Sequence, residues 1–371
     1  MTSTAERKVK VLIVDDNPDN QRSKQQNIQE TGVLCELKHP EEVEESDFKD
    51  TDVVLVDYVL DEWDERDNET KLSRKPLNGV ALASLYRAYV DSQAKPYPTA
   101  FAIHTAELQK LARGFLEAKP HVLARLYDLE WIFSKGSENI VMQTRLLASA
   151  VNKLPQDWPS DPVQLRTLIS DLLSVPDSQV PWVSLAMQDI YSCYPPIHDM
   201  SEHTHGTAFV RWLLQRVLPY PCFLMDDHHL AAKLGFAPDE LNEILQTKNK
   251  LHTSLDPYRY CGILSGFNGD RWWKAGIDDL LWKCTEGVPF DYGKIRASLL
   301  SPEELVLLKG PKLNNPVVCL NEKGEYMDQL LEISQVARIR PDDWPPYADY
   351  AWAPVDLIDK HPQLQALRIA E

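Results

Sequence analysis

Five short apolar runs punctuate the first 150 residues, and no other feature narrows the choice of fold so far. Val9–Val14, Leu34–Leu37, Val53–Val56, Ala100–His104 and Trp131–Phe133 have the length and β-branched content of strands. The segments between them, Asn20–Glu30, Val80–Val90, Leu108–Leu116 and Ile140–Val151, carry the wider apolar spacing of helices packed on a sheet. Strands that are apolar throughout and alternate with helices predict a parallel α/β sheet covered on both faces. In such sheets ligands are held at the carboxyl edge of the strands, so residues directly after each run are the ones to read for chemistry.

At that edge stand three carboxylates, Asp15 and Asp16 after the first run and Asp57 after the third. Converging carboxylates repel one another unless they share a hard cation, and the expectation is a Mg²⁺ site built from oxygen ligands and water. With the cation in place, one carboxylate can act as nucleophile toward a phosphoryl group. Thr105, after the fourth run, supplies a hydroxyl, and Lys135, after the fifth, supplies a cation for the phosphoryl oxygens.

The segments VLIVDD, VVLVD, AFAIHTA and IFSK, in this order and at these strand ends, resemble the receiver domain of two-component response regulators over about residues 8–150. The resemblance implies a flavodoxin-like, doubly wound, parallel five-stranded sheet. It also implies Asp57 as phosphoacceptor, Asp16 as direct Mg²⁺ ligand, Asp15 as its water-bridged neighbour and the backbone carbonyl of Val59 as a further ligand. Thr105 matches the family's switch hydroxyl, and Lys135 the lysine that pairs with the acceptor and then with its phosphate. The plainer reading is a set of strand-end acids in some other flavodoxin-like sheet. Departures from the family are a longer segment between Asp57 and Gly79 (DEWDERDNETKLSRKP), a longer stretch from Thr105 to Lys135, Gly136 where the family has proline, and Ile132 where it has an aromatic switch. Trp131 and Phe133 are the candidates to replace that aromatic. Residues 61–75, of mixed charge and without apolar period, are expected to form a surface loop beside the acceptor.

The composition changes at KLPQDWPSDP, so residues 1–152 are expected to form the receiver, 153–162 a linker and 163–371 a mainly α-helical effector or interaction domain. Eight of the ten tryptophans lie after residue 152, and helical patterns run over Val163–Leu173, Val183–Tyr191, Phe209–Val217, His229–Leu234, Asp239–Asn249 and Trp272–Lys283. Leu230, Ala231, Leu234, Gly235, Leu241 and Ile244 are spaced for two helices across a tight turn, as in a helix-turn-helix. The second of those helices begins Pro238-Asp239-Glu240, and the chain carries a net charge of −17, with acids outnumbering bases on both sides of residue 150. A phosphate backbone is repelled by such a surface, which disfavours DNA and favours a packed helical hairpin.

His198, Asp199, Glu202, His203 and His205, with His228 and His229 further on, form a cluster whose spacing matches no metal motif; loop residues near a helix start explain it more simply. Trp272, Trp273 and Trp282, with Tyr258, Tyr260 and Phe267, are core or a partner surface, core being the commoner use. Cys261, followed by glycine, is read as a buried cysteine rather than a nucleophile. Cys35, Cys193, Cys222, Cys261, Cys284 and Cys319 lie far apart, as expected of reduced thiols. No long apolar run or cleavage site is present, and a cytoplasmic protein without membrane contact is expected.

The expected function is phosphorelay signalling: a histidine kinase or phosphotransfer protein phosphorylates Asp57, and the change biases an effector that acts through an unknown protein partner or as a homodimer. The alternatives are a DNA-binding regulator using the hairpin near 230–245, and a metal-dependent enzyme in the later domain. No catalysis is expected beyond the receiver's own phosphorylation and dephosphorylation.

Overall fold

In the computed structural model, residues 7–71, 75–93, 97–112, 118–202, 207–288, 290–306, 308 and 313–369 are described. The chain forms two compact units. The first comprises Met1–Ser174, Pro195–Pro219 and Gly262–Asn268, and the second Val175–Tyr194, Tyr220–Cys261 and Gly269–Glu371.

The first unit is built on a five-stranded sheet of β1 (Lys10–Val14), β2 (Leu34–Lys38), β3 (Val53–Asp57), β4 (Ala100–Thr105) and β5 (Trp131–Ser134). Its order is β2-β1-β3-β4-β5, with every pair parallel. This is the flavodoxin-like doubly wound order, whose ligand crevice lies at the β1/β3 switch point. One face carries Leu12, Val14, Val54, Val56, Phe101, Ile103 and Ile132 against Leu82, Ala83 and Val90 of helix Gly79–Ser92 and Leu123 and Ala124 of helix Pro120–Leu126. On the other, helix Ile140–Asn152 packs on β3 and on helix Arg22–Glu30. Each buried Val, Leu or Ile side chain stabilises this arrangement by about 1.5–3 kcal/mol, and truncating Leu55, fully buried mid-strand, is expected to cost about 3 kcal/mol.

The helix Pro120–Leu126 was not foreseen: proline at its first position preorganises the start, and the apolar pair Leu123 and Ala124 docks it on the sheet. The segment after Asp57 is also more structured than a loop. It contains a short helix, Asp64–Asn68, and Trp63 packs on the core edge while its indole donates to Glu41 at 2.9 Å.

Later segments complete the same unit. Helix Thr207–Trp212 continues as a π-helical turn over Leu213–Val217, and Gln215 donates to the carbonyl of Leu129 at 2.7 Å. Phe267 sets its ring edge-on to Trp131, with centroids 5.1 Å apart, and also meets Phe133.

The second unit is mostly helical, with short two-stranded ladders. Helices Asp227–Leu234 and Pro238–Leu245 form the tight hairpin, and Leu230, Ala231, Leu234, Leu241 and Ile244 all turn into its core. Between the helices Gly235 has φ 72°, the left-handed conformation a glycine adopts without strain, and a Cβ there would lie 2.4 Å from the Tyr292 ring. Trp272 and Trp273 form a short strand pairing with Leu224 and Met225 rather than the first turn of a helix; both are buried, whereas Trp282 is exposed. Cys261 is exposed, against the expectation of a buried thiol, because its neighbour Tyr260 takes the inward position in an extended stretch where successive side chains alternate. Among the described residues no helix is long and apolar enough to cross a membrane.

Candidate phosphoryl and cation site

Strand register builds the site. Val14 pairs with Val56 and Asp57 with His104, so Asp15, Asp57 and His104 are successive cross-strand neighbours in one row. In a parallel sheet such neighbours point to the same face, here the face covered by helix Arg22–Glu30. One donor atom from each of the three lies within 4.8 Å of the others, and all three side chains are buried. Three converging donors at this separation are close enough to share a cation.

Asp57 is held from the side by Lys135, whose ammonium donates to Asp57 Oδ2 at 2.9 Å. The other oxygen, Asp57 Oδ1, is buried without a hydrogen-bond partner, as are Asp15 Oδ2 and His104 Nε2. Two bare carboxylate oxygens and an aligned lysine are what a cation or a phosphoryl group would satisfy. Burial raises the Asp15 carboxyl to about 6; the amide of Asn17 opposes this, and the charge of Asp57 adds to it.

Asp16 is placed differently. Its Oδ2 accepts from the amide of Glu62 at 2.6 Å, and Asn17 Nδ2 donates to Glu62 Oε2. Among the described residues it is Asp15, not Asp16, that joins Asp57 in the tight cluster. Val59 lies two residues beyond Asp57 and is partly exposed. Thr105 follows His104 on β4, is fully buried, and its Oγ1 accepts from the amide of Glu107 at 2.9 Å. Trp131 and Phe133 are fixed against Phe267, and Ile132 lies in the opposite core.

The floor of the site needs a glycine. Gly79 donates its amide to the carbonyl of Tyr58 at 2.9 Å, and a Cβ at this position would stand 1.8 Å from the carbonyl oxygen of Asp57. The next helix therefore closes directly onto the end of β3, and Asn78 caps it by accepting from the amide of Ala81 at 3.0 Å.

Two residues of this site escaped the sequence reading, His104 and Lys24. Lys24 Nζ lies 2.9 Å from His104 Nδ1, and burial lowers the lysine to about 8, with the charge of Lys135 adding to the effect. The signal for His104 was a polar residue inside an otherwise apolar strand; nothing local marked Lys24.

Among the described residues the histidine cluster forms no such group of converging donors. His198 and Asp199 lie on helix Ile197–Glu202 of the first unit, and His228 and His229 on helix Asp227–Leu234 of the second, where His229 Nδ1 pairs with Asp226 at 2.8 Å. His203 and His205 lie outside the described residues.

No protein-family model matches the chain, and no curated protein matches it. Solved structures similar to it include the response regulator ChrA of a heme-sensing two-component system, at 12% identity over 67% of this chain and 91% of that one, with a TM-score of 0.25. A second is the two-component response regulator RcsB in complex with DNA, at 14% identity over 56% of this chain and 98% of that one, with a TM-score of 0.27. Likeness at this level carries no weight for function. The flavodoxin-like fold of the first unit rests on the 2-1-3-4-5 parallel sheet, which brings the acids to its carboxyl edge.

Proposed function

We propose that the first unit is a phosphorylatable receiver, that Asp57 is its phosphoacceptor, and that the mostly helical region relays the change by protein contact. The carrying observation is the state of the Asp57 carboxylate, with one oxygen on Lys135 and the other buried, unpartnered and beside Asp15. Asp57 Oδ1 is the nucleophile: it attacks phosphorus, and the donor's leaving group departs with the electron pair of the broken bond. Lys135 orients the carboxylate beforehand and then faces the phosphoryl oxygens, while the buried Thr105 hydroxyl is a further donor near the strand end. Asp15, Asp16, Asp57 and the Val59 carbonyl would hold Mg²⁺, which neutralises phosphoryl charge when bound. The orphaned oxygens of Asp15 and Asp57 and the oxygen-rich donor set fit a hard cation.

A histidine kinase or phosphotransfer protein is the partner this reading supplies. The hairpin at 227–245 supports protein contact over DNA: its apolar residues are spent on its own core and its second helix opens with Asp239 and Glu240, leaving little to hold phosphate. The test is intact-mass analysis after exposure to a small phosphodonor with Mg²⁺. One labile phosphoryl adduct is expected on the native chain and none on Asp57→Asn. A native chain without adduct, under conditions that label other receivers, would overturn the reading.

A further inference from the structure

Beneath the carboxylates Lys24 meets His104. Lys24 Nζ is 2.9 Å from His104 Nδ1. An ammonium has three donors and no acceptor, so Nδ1 must be the accepting nitrogen. A neutral imidazole carries one proton, which this bond places on Nε2. That nitrogen is fully buried, has no hydrogen-bond partner, and stands 3.8 Å from Asp15 Oδ2. A ring whose Nδ1 accepts from an ammonium in this way is neutral. A protonated nitrogen has no lone pair for a metal. His104 is near enough to be a ligand and yet has the wrong tautomer for one.

We propose that Lys24 fixes His104 as a hydrogen-bond donor toward Asp15 and Asp57, excluding the imidazole from coordination and making the site selective for a hard divalent cation over a transition metal. The inference rests on the cation part of the proposed function and not on phosphorylation. Lys24 is a positioning residue acting through His104. Without it the ring proton is free to move to Nδ1, and the Nε2 lone pair then completes an O,O,N set within 4.8 Å, which suits Co²⁺ or Zn²⁺ better than Mg²⁺.

The test uses the full chain without phosphodonor. Long-range ¹H–¹⁵N correlation of the histidine rings in metal-free native protein, with His104 assigned by its loss in His104→Gln, should show a neutral ring protonated at Nε2. Affinities for Mg²⁺ and Co²⁺ are then compared between native protein and Lys24→Met, which keeps side-chain length and helix propensity. Loss of a positive charge raises affinity for every dication, so the readout is the Co²⁺/Mg²⁺ ratio. It should rise about tenfold to a hundredfold in Lys24→Met, with a nitrogen-ligand signature in the Co²⁺ spectrum that the native protein lacks. A native ring protonated at Nδ1, a direct Co²⁺ shift of the native His104 nitrogens, or an unchanged ratio would each overturn the proposal. Failure of Asp57 to take a phosphoryl group would leave these outcomes untouched, so the two readings fail separately.

Discussion

Arg211 and Glu130 stand 81 residues apart in sequence, and Arg211 Nε donates to Glu130 Oε1 across 2.6 Å. The Glu130 side chain has no solvent exposure; its second oxygen accepts from Arg87 Nη2 at 2.8 Å and from the amide of Phe101. Arg211 also pairs with Asp128. A carboxylate at the entrance to β5 is thereby held by two guanidiniums, one from helix Gly79–Ser92 and one from the returning helix Thr207–Trp212.

Removing one of those partners leaves a buried charge short of compensation. Arg211→Met should lower unfolding free energy by about 3 kcal/mol, the lower end for a broken buried pair because Arg211 is partly exposed. Burial alone would raise the Glu130 carboxyl, but Arg211 and Arg87 outweigh it and hold it below its ordinary 4.5. The stabilisation is therefore present above pH 4.5 and lost as pH falls through the lower folded-state value. Urea unfolding between pH 7 and pH 3 should show the native protein keeping its stability to lower pH than Arg211→Met. Coincident acid limbs would show that the pair contributes nothing to folding.

Gly79→Ala tests the closure behind Asp57, the proposed acceptor. The added methyl would collide with backbone rather than a movable side chain, so a cost near 3 kcal/mol is expected, together with slower phosphoryl uptake as Asp57 is displaced. Thermal unfolding and the rate of adduct formation measure the two effects. A native-like melting temperature would mean the helix can back away from β3.

Trp63 anchors the segment that follows Asp57, while Glu62 engages Asp16. Replacing residues 64–75 by a short flexible linker, with Glu62 and Trp63 kept, should preserve folding and change adduct lifetime. Trp63→Ala should instead lower stability by about 1–2 kcal/mol, less than a full core aromatic, because the ring is only partly buried. Circular dichroism melts and adduct decay separate these outcomes; loss of folding on shortening would show that the segment is structural.

In the second unit, Asp226 caps helix Asp227–Leu234 by accepting from the amide of His229 at 2.9 Å and pairs with its ring. Asp226→Ala should destabilise by about 1–2 kcal/mol. Gly235→Ala should cost more than Asp226→Ala, since it meets both the left-handed backbone and the Tyr292 ring. Denaturant titrations of the two variants give the order, and a reversed order would place the hairpin's stability in its cap.

The strands of the first unit were readable because each is a mostly apolar run, and the charged residues that follow them named Asp15, Asp57 and Lys135 as neighbours before register was known. His104 and Lys24 were not readable, because their meeting depends on which strand residue stands opposite Asp57 and which helix covers that face. Cys261 was misjudged for a related reason: alternation in an extended stretch is invisible until one knows that Tyr260 points inward. The tight turn at Gly235 was legible, since glycine between apolar pairs reports a local backbone need. The return of Arg211 and Phe267 to β5 left no local trace, because the residues that receive them look like any strand end.

That return has a consequence for how the molecule is made. All five strands have been synthesised by Ser134, yet Gln143 waits for the carbonyl of Phe267, 124 residues on, and Trp131 for its ring. A nascent chain that has finished its sheet still exposes an aromatic strand and a carboxylate awaiting its second guanidinium. Contacts of such sequence separation form slowly, and exposed strands during the wait invite aggregation. A fragment cut at the end of helix Ile140–Asn152 would carry the whole acid edge and lack the aromatic cover of β5, and its solubility on the ribosome would depend on what shields that strand.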